Sequence, residues 1–586
     1  MERTIEQLAE EWLALDKDPV TREEIHKFLI EGHKTELEKR LRYRIAFGTA
    51  GLRARMEAGF SRLNSLTIIQ ATQGLAEYLL QQEDVDVKHC GIVIGRDARY
   101  NSEKFAKLTA AVFIAKGIRV WWYDEPVHTP LVPFGVRELH AAAGIMITAS
   151  HNPAMDNGYK VYWSNGCQII PPHDSGIAAS IERNLIPVTW DTSEVEDDNL
   201  LLESVKGLVE DAYYRAVVHS SQVRGIKTED ADFEFVYTPM HGVGLPFMNK
   251  VLELTGLKKN MVVVSEQADP DPDFPTVKFP NPEEKGALDL AIKTADEHSI
   301  SLIVATDPDA DRLAVAEKVS GQWHQISGNQ LGALLASHIL ETYLPEKSRS
   351  ALVFLASTVS SGMLSSMAKA EGFYYKETLT GFKWLGNVAR QLEATGKYTA
   401  AFAFEEAIGY MIPGVTHDKD GVSAAAVFLT AVQRWKQHEG VNPWQKLEHL
   451  YKKYGHFEDA NTYLISPSPD TTNAVFMSIR QLGSPYPTHV GKRRILRWRD
   501  LTEGYDSASK DHVPDLPVSK DSQMITCKLE GDVKFTARGS GTEPKIKLYI
   551  EGRASSAEEA KDAADEVLAD LLKEWFKPEE NGLKLA

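Results

Sequence analysis

Three aspartates, Asp307, Asp309 and Asp311, stand at alternate positions directly after the apolar run 302–305. Carboxylates this close repel one another, which costs stability unless a cation lies among them. Oxygen ligands followed by a basic residue, Arg312, suit Mg²⁺ that is bound partly through a phosphate. The pattern therefore predicts a Mg²⁺ site, with a solvated acidic turn as the alternative.

A calcium-binding EF-hand loop also begins with alternating acidic residues, so it competes with this interpretation. That loop needs glycine at its sixth position and glutamate at its twelfth. Arg312 and Lys318 occupy those two positions here. The sequence therefore excludes an EF-hand.

A serine, Ser150, follows a second apolar run, 141–147, which has the composition of a buried strand. A serine at the carboxyl end of such a strand lies where open α/β sheets usually bind ligands. His151 could orient its hydroxyl, and Pro153 stiffens the loop. Serine, asparagine and proline are also turn residues for backbone reasons. On these residues alone, a reactive hydroxyl and an ordinary turn are equally good interpretations.

The charge balance limits the classes of ligand. The chain has 65 basic and 83 acidic residues and a net charge of −18, which argues against a nucleic-acid-binding or membrane-surface protein. A site for an anion must then concentrate its positive charge locally. Three widely spaced cysteines, Cys90, Cys167 and Cys527, favour a reducing compartment and offer neither a disulfide framework nor a zinc site.

Targeting signals are not visible in the sequence. The first residues turn at once into an amphipathic acidic segment, unlike a secretory signal. Apolar runs all fall short of the roughly 18 residues that a membrane span needs. We therefore expect a cytoplasmic protein.

Strands and helices alternate along most of the chain, in series that begin near residues 91, 233 and 351. Such alternation indicates α/β domains with largely parallel sheets. The linker-like segment 466–470 precedes a region of different character, which ends in a helix with Ser556-x-x-Glu559 as its capping box. A length of 586 residues suits about four domains.

The predicted fold is therefore three successive α/β domains with mixed, largely parallel sheets and a smaller α+β domain at the C-terminus. The predicted domains are 1–207, 208–325, 326–460 and 461–586. Two helices that begin at the capping boxes Thr4-x-x-Gln7 and Thr21-x-x-Glu24 are expected to pack against the first domain.

Together, the serine loop and the aspartate loop resemble those of the α-D-phosphohexomutase superfamily. The resemblance extends over about residues 42–552 and is greatest to the branch of phosphoglucomutase-2-like enzymes and phosphopentomutases. It implies four domains around a central cleft. It also implies that a phosphoserine donates its phosphoryl group to a sugar phosphate, and that the resulting sugar bisphosphate turns around and returns its other phosphate to the serine.

By this resemblance Ser150 is the phosphoserine. The Mg²⁺ ligands that it implies are Asp307, Asp309, Asp311 and a phosphoryl oxygen on Ser150. Arg53, which ends a glycine-rich loop, and Lys160 are candidates for the acid and base at the sugar hydroxyl or the serine. His151 is a third catalytic candidate, and a hydrogen bond that stabilises the loop is its alternative role.

Further loops match the family's sugar-binding loops. Besides Arg53 and Ser150, the residues implied to bind substrate are Arg312, Thr380, Gly381, Lys383, Glu405 and Lys419. Glu405 would accept hydrogen bonds from sugar hydroxyls. Ala407 stands where the family often has serine, and its methyl group cannot hydrogen-bond. Selectivity for one hexose hydroxyl would then be relaxed, which favours a pentose substrate.

A loop of small residues near the C-terminus begins with a cation, Arg538. Its backbone N–H groups and hydroxyls can approach a phosphate while the guanidinium pairs with it. The resemblance implies that this loop binds the phosphate that is not reacting. The residues concerned are Arg538, Ser540, Gly541, Thr542 and Lys547.

The resemblance thus implies a phosphosugar mutase for glucose 1-phosphate, ribose 1-phosphate or both, with one Mg²⁺ per chain and a sugar bisphosphate as primer and intermediate. One alternative is a glucose 1,6-bisphosphate synthase that uses the same serine and an acyl phosphate donor. Another is an inactive sugar-phosphate-binding regulator, although the retained serine and aspartates argue against it. We expect sugar phosphates as the partners, neither nucleic acid nor membrane, and a monomer or weak dimer.

Overall fold

The computed structural model describes residues 3–48, 51–83, 85–195, 199–222, 226–342, 348–540 and 544–585. The chain forms two compact units. Unit 1 comprises Met1–Glu346 and Gly381–Asn442, and unit 2 comprises Lys347–Thr380 and Pro443–Ala586. The boundaries of the four domains given above stay a prediction.

Three helices precede the first sheet: α1 (Ile5–Leu15), α2 (Pro19–Ile30) and α3 (Lys34–Leu41). The predicted capping box at Thr4 is confirmed at the start of α1. The predicted start of the second helix at Thr21 is wrong, because α2 begins two residues earlier. Asp18 accepts a hydrogen bond from the N–H of Val20, and Pro19 fits the first helical turn, where its missing N–H is not needed.

A six-stranded sheet with the order β1-β5-β4-β2-β3-β6 follows in unit 1. Its strands are β1 (Leu52–Arg55), β2 (Ile92–Arg96), β3 (Val120–Trp122), β4 (Ala143–Ile147), β5 (Asp156–Trp163) and β6 (Leu202–Ser204). The helices of this region are α4 (Ser65–Leu80), α5 (Val87–Cys90), α6 (Ser102–Ala115), α7 (Leu131–Glu138), α8 (His173–Arg183) and α9 (Leu208–Ser221). The strands β4, β2, β3 and β6 are parallel, whereas β5 is antiparallel to both β4 and β1. All five residues of β4 are buried, as expected for the strand that leads to Ser150.

A five-stranded sheet, also in unit 1, has the order β11-β10-β9-β7-β8. Its strands are β7 (Phe235–Thr238), β8 (Met261–Val263), β9 (Leu302–Thr306), β10 (Leu313–Val319) and β11 (Gln322–Ile326). Its helices are α10 (Gly244–Thr255), α11 (Asp289–Glu297) and α12 (Gly328–Thr342). The pairs β7–β8 and β7–β9 are parallel, and β10 is antiparallel to β9 and β11. The aspartate loop connects the antiparallel strands β9 and β10.

The next region contributes to both units. Unit 2 contains the parallel pair β12 (Leu352–Ser357) and β13 (Tyr374–Thr378), joined by α13 (Met363–Glu371). Unit 1 contains α14 (Phe382–Ala394), the antiparallel pair β14 (Thr399–Glu405) and β15 (Gly409–Met411), and the long helix α15 (Gly421–Glu439). Unit 2 resumes with α16 (Pro443–Tyr454).

The rest of unit 2 is built on one nine-stranded sheet, whose described strand pairs are antiparallel. Its strands are β16 (His456–Asp459), β17 (Thr462–Ile465), β18 (His489–Val490), β19 (Arg493–Asp500), β20 (Tyr505–Asp506), β21 (Met524–Leu529), β22 (Val533–Gly539), β23 (Lys545–Ala554) and β24 (Lys584–Leu585). The helices are α17 (Pro469–Arg480), α18 (Ala557–Asp570), which continues as a π-helical turn Leu571–Phe576, and α19 (Pro578–Asn581). Ser556 caps α18 as predicted.

The observed architecture agrees with the predicted fold class. The two sheets of unit 1 are mixed, and antiparallel pairs are nearly as numerous as parallel ones. The C-terminal region has the α+β character expected from its sequence. Among the helices that the structure describes, none combines the length and the apolar character that crossing a membrane requires.

Candidate active site

The aspartate loop follows β9 and is buried completely. Asp307, Asp309 and Asp311 are inaccessible to solvent, and one oxygen from each lies within 4.8 Å of the others. Two glycines enclose the loop backbone. A Cβ on Gly242 would lie 2.3 Å from the Cα of Pro308, and one on Gly421 would lie 2.3 Å from the carbonyl oxygen of Arg312. The three carboxylates therefore converge because the backbone around them is closely packed.

Two lysines face these carboxylates. The Nζ atom of Lys160 lies 2.7 Å from Asp309 Oδ2 and 3.0 Å from Asp311 Oδ2. The Nζ atom of Lys419 lies 2.7 Å from Asp311 Oδ2. The lysines thus offset part of the negative charge that burial would otherwise make very costly.

The other oxygens of two aspartates support a metal site. The Oδ1 atoms of Asp309 and Asp311 are buried and have no hydrogen-bond partner among the described residues. A buried oxygen without a partner loses the free energy of hydration that water would supply. A hard cation such as Mg²⁺ takes oxygen ligands of this kind. The donor set therefore fits the predicted ion.

The pKa values of the aspartates reflect the same crowding. Burial and the charges of Asp309 and Asp311 raise the pKa of Asp307 well above its usual value. Burial would also raise the pKa of Asp309, but Lys160 and Lys419 lower it more strongly, so the net shift is downward. The protein alone therefore does not accommodate three negative charges easily, which is expected of a site that binds a cation.

Ser150 lies directly against this loop. Its Oγ donates a hydrogen bond to Asp307 Oδ2 at 2.9 Å, and its backbone N–H donates to Thr148 Oγ1 at 2.9 Å. The side chain is buried, and the backbone is in the left-handed region with φ 55°. This conformation is uncommon for a non-glycine residue and is often found at functional sites. The hydroxyl of the predicted phosphoserine and the predicted metal ligands thus form one cluster.

Arg99 binds the backbone of the serine loop through its guanidinium group. Its guanidinium donates to the carbonyl oxygens of Ser150, Asn152 and Pro153, the last at 2.9 Å. It is paired with Asp97, with Nε 3.3 Å from Oδ2, and it stacks 4.9 Å from the centre of the Phe274 ring. One buried side chain therefore fixes three carbonyl groups of the loop that carries the predicted phosphoserine.

Replacing Arg99 with lysine is expected to lower kcat about 100-fold while KM changes little. An ammonium group lacks the planar set of donors that holds the three carbonyl groups. The serine loop would then shift, and a misplaced catalytic group lowers the rate about 100-fold. Steady-state kinetics, with kcat and KM determined separately, measure this effect. The exposed Arg183→Lys provides a matched control. Equal losses of activity in both variants, or a change in KM alone, would contradict this role.

The three predicted acid–base candidates differ in their contacts and in their exposure to solvent. Arg53 donates from Nη1 to Asn152 Oδ1 at 3.3 Å and remains accessible to solvent. Lys160 is held by the two aspartates described above. The ring of His151 is 5.9 Å from the ring of Phe279, and its buried Nδ1 has no partner in the part of the chain that is described. Burial and the nearby Arg312 lower the pKa of His151, so its imidazole is neutral at pH 7.

The predicted sugar-binding residues of unit 1 lie at the ends of β14 and at the start of α14. Glu405 Oε1 accepts a hydrogen bond from the N–H of Gly381 at 2.8 Å, and Gly381 has a φ of 101°, which favours glycine. Lys383 is in the first turn of α14. The N–H of Leu313 donates to the carbonyl of Ile408 at 3.1 Å. This hydrogen bond connects the turn after β14 to β10, the strand that follows the aspartates.

Two cations complete this set. The backbone N–H of Arg312 donates to Asp307 Oδ1 at 3.1 Å, and its side chain is 17% exposed. Lys419, already paired with Asp311, has its Nζ 5.8 Å from the centre of the Phe382 ring. The structure therefore brings Arg312, Lys419, Lys160 and the aspartates into one charged cluster in unit 1.

The predicted phosphate-binding residues belong to unit 2. Arg538 Nη1 donates to Thr380 Oγ1 at 2.6 Å, and Lys547 is opposite Arg538 in the register of β22 and β23. The N–H of Ser540 donates to the carbonyl of Lys545 at 2.8 Å. Gly541 and Thr542 lie outside the described residues. The guanidinium of Arg538 thus lies beside the hydroxyl of Thr380, on a residue opposite Lys547 in the sheet.

Sequence reasoning did not assign roles to two residues of the site. Arg99 had a local signal, since it follows β2 in a polar loop at the carboxyl end of the sheet. Thr129 had none: its Oγ1 donates to Asp309 Oδ2, and its N–H donates to the Asp309 carbonyl at 2.9 Å, across 180 positions of sequence. Only the folded chain reveals such a contact.

Comparison with known proteins agrees with this arrangement. Models of the four domains of phosphoglucomutase/phosphomannomutase match the chain at residues 44–185, 211–321, 327–454 and 517–569. A phosphoribomutase from Saccharomyces cerevisiae is 46% identical over 600 residues, covering 97% of this chain and 96% of its own. A human glucose 1,6-bisphosphate synthase is 41% identical over 604 residues, covering 98% and 94%.

A solved structure of phosphoglucomutase (pp63/parafusin) from Paramecium in its open form shares the fold. Its TM-score is 0.65 at 18% identity, and the match covers 92% of this chain and 95% of that chain. The family models together span most of the sequence, and the relatives align along nearly its full length. The chain therefore belongs to the phosphoglucomutase/phosphomannomutase family, and it is a phosphosugar mutase.

Proposed function

We propose that this mutase interconverts ribose 1-phosphate and ribose 5-phosphate through a phosphoserine at Ser150, and that it accepts glucose 1-phosphate less well. The observation that carries the proposal is the hydrogen bond between Ser150 Oγ and Asp307 inside the buried aspartate cluster. The name of the yeast relative supports a pentose substrate. Phosphoryl transfer depends on positioning and charge neutralisation, and this cluster offers both.

Each half-reaction conserves one phosphoryl group. The free hydroxyl of the sugar phosphate attacks phosphorus on Ser150, the bond from phosphorus to Ser150 Oγ breaks, and a sugar bisphosphate forms. After the bisphosphate turns around, Ser150 Oγ attacks its other phosphate and releases the isomeric monophosphate. The proton of each attacking hydroxyl must leave and one must return to each departing oxygen, and we propose Arg53, Lys160 and His151 for these transfers.

Mg²⁺ would be held by Asp307, Asp309, Asp311 and a phosphoryl oxygen on Ser150. When bound, it supplies neutralisation of charge on the transferring phosphoryl group. Lys160 and Lys419 contact the aspartates, so they orient the carboxylates. This preorganisation is the part of catalysis that the chain's own residues provide.

The residues that we propose to bind the sugar phosphate fall into two groups. In unit 1, Arg312, Lys383 and Lys419 would bind phosphate and hydroxyl oxygens, and Glu405 would accept hydrogen bonds from sugar hydroxyls. In unit 2, Thr380 of the predicted sugar-binding loops would contact the substrate, and the loop of Arg538, Ser540, Gly541, Thr542 and Lys547 would bind the phosphate that is not reacting. The Arg538–Thr380 hydrogen bond supports this role, since it fixes the guanidinium in a small-residue loop.

Ala407 makes the choice of sugar testable. We expect kcat/KM for ribose 1-phosphate to exceed that for glucose 1-phosphate at least 10-fold. Ala407→Ser should shift this ratio about 3-fold to 10-fold towards glucose, because a new hydroxyl can form one hydrogen bond with the additional hexose hydroxyl. Ala401→Ser, in the strand β14 that precedes Ala407, is the control.

Paired kcat/KM measurements on both sugar phosphates decide this point. A ratio near one that Ala407→Ser leaves unchanged would show that Ala407 does not select the sugar. Ala401→Ser must keep the kcat/KM ratio of the unmodified protein before any shift is assigned to position 407.

A second candidate, synthesis of a sugar bisphosphate, is favoured by the 41% identity to the human synthase. That reaction would use the same serine and take phosphate from an acyl phosphate donor. Bisphosphate formation measured with and without 1,3-bisphosphoglycerate separates the two activities. Accumulation of bisphosphate that depends on the donor would indicate the synthase. Mutase turnover that is the same with and without the donor would indicate the mutase. We also propose a cytoplasmic location and a monomer or weak dimer.

A further inference from the structure

A pocket lined by many charged side chains lies within unit 2. It has a volume of about 660 Å³ and is lined by residues of α13, β13 and the strands β19, β21, β22 and β23. Pockets that bind small molecules span roughly 300–1,000 Å³. Seven basic and four acidic side chains line it, although the whole chain carries a net charge of −18. Positive charge is therefore concentrated here against the overall composition.

Three cations stand side by side in this pocket. In the register of the sheet, Arg497 of β19 is opposite Lys528 of β21, and Lys528 is opposite Lys534 of β22. Residues directly opposite one another share a face of the sheet, with Cβ atoms about 5 Å apart, and like charges in that position are destabilising. We call Arg497, Lys528 and Lys534 the cation row.

The outer members of the cation row have acidic partners. Lys534 lies 3.0 Å from Glu377, and Arg497 is paired with Asp506. Lys528, in the middle, has no acidic partner among the described residues, and its position in the row leaves it between two like charges. Its side chain is exposed, and partial desolvation with the nearby charges of Lys534 and Arg497 lowers its pKa, whereas Glu377 raises it. Glu377 therefore relieves the repulsion at Lys528 only in part.

A second acidic neighbour adds little compensation. Glu551 is opposite Lys534 on β23, but burial and Asp459 raise its pKa to about 8, so it is mostly uncharged at pH 7. Lys369 of α13 also lines the pocket and has no ion-pair partner in the described ranges. An anion bound between Lys528 and Lys369 would supply the missing negative charge.

We propose that this pocket binds a phosphorylated small molecule, with its phosphate on the cation row and Lys369 and the rest of the molecule in the cavity. A phosphate dianion can accept several charge-assisted hydrogen bonds at once, which matches a row of cations. The pocket is separate from the loop at Arg538. Lys534 and Arg538 are four residues apart on β22, or about 13 Å along an extended strand.

Lysine acetylation tests this proposal at the site itself. The protein is treated with sulfo-N-hydroxysuccinimide acetate, and modification of each lysine is measured by peptide mass spectrometry. Ribose 5-phosphate at saturating concentration should slow acetylation of Lys528 and Lys369 at least 5-fold. Lys492 directly precedes β19 of the same sheet, and its side chain is 73% exposed. It should react at an unchanged rate.

Two comparisons identify what is bound. Sodium chloride at the same ionic strength should not protect Lys528, and equal protection by chloride would overturn the proposal, because it would show charge screening only. Ribose 5-phosphate should give half-maximal protection at a concentration at least 5-fold lower than inorganic phosphate does. Equal concentrations would show that the cavity does not hold the organic part of the molecule, which would also overturn the proposal.

A variant tests the cation row independently of activity. In Lys528→Gln, protection of Lys369 by ribose 5-phosphate should fall at least 5-fold, while phosphorylation of Ser150 continues at the normal rate. The change removes a repulsion, so the folded protein should keep or raise its Tm in phosphate-free buffer. Full protection of Lys369 in this variant would show that the cation row is not the binding site.

Discussion

Replacing Ser150 with alanine is expected to lower mutase turnover by at least about 10⁴-fold, because removal of a residue that forms a covalent intermediate leaves only the contribution of binding and electrostatics. The alanine side chain removes one oxygen and the hydrogen bond to Asp307. The backbone conformation at φ 55° costs alanine about as much as serine, so the fold should be retained. Turnover with ribose 1-phosphate and a bisphosphate primer measures the loss.

The control for this experiment is Ser175→Ala on the exposed start of α8, which should leave turnover unchanged. Thermal unfolding of both variants shows whether they are folded. Normal turnover by a folded Ser150→Ala protein would refute the proposed route through a phosphoserine.

Replacing Asp309 with asparagine should have the second largest effect. Asparagine keeps the size of the side chain, including an oxygen near Lys160 and Thr129, but removes the negative charge. A metal contributes several kcal/mol of charge stabilisation to such reactions, and about 1.4 kcal/mol corresponds to a tenfold change in rate. We therefore expect turnover to fall about 10³-fold and the affinity for Mg²⁺ to fall at least 10-fold.

Calorimetric titration with Mg²⁺ gives a readout for Asp309→Asn that does not depend on turnover. The exposed Asp289→Asn, at the start of α11, is the matched control and should bind the ion normally. If Asp309→Asn bound Mg²⁺ as tightly as the unmodified protein, the aspartate cluster would not be the metal site.

The strands that carry these residues could be predicted because their signals are local. An apolar run followed by a polar loop marks both β4 and β9, and the structure places Ser150 and Asp307 just beyond these strands. The alternation of aspartates indicated a cation for electrostatic reasons, and their oxygens do converge. The cap at Ser556 was predictable for the same reason, since a helix start is decided within four residues.

Other features depend on contacts between distant parts of the chain. The approach of Thr129 to Asp309 and the hydrogen bonds of Arg99 to the serine loop are decided by how loops meet at the edge of a sheet. The cation row depends on the strand register, and a shift of one residue would move Lys528 to the other face. The start of α2 was mispredicted because two caps compete, and the proline favours the earlier one.

The central claim is that Ser150 carries one phosphoryl group between two sugar phosphates. Its most direct test is a pulse–chase experiment with a sugar bisphosphate labelled in phosphorus, followed by peptide mapping. We predict that label appears on the peptide containing Ser150 and moves into sugar bisphosphate when unlabelled ribose 1-phosphate is added, at a rate no slower than turnover. Label that is absent from Ser150, or that stays there during turnover, would contradict the account.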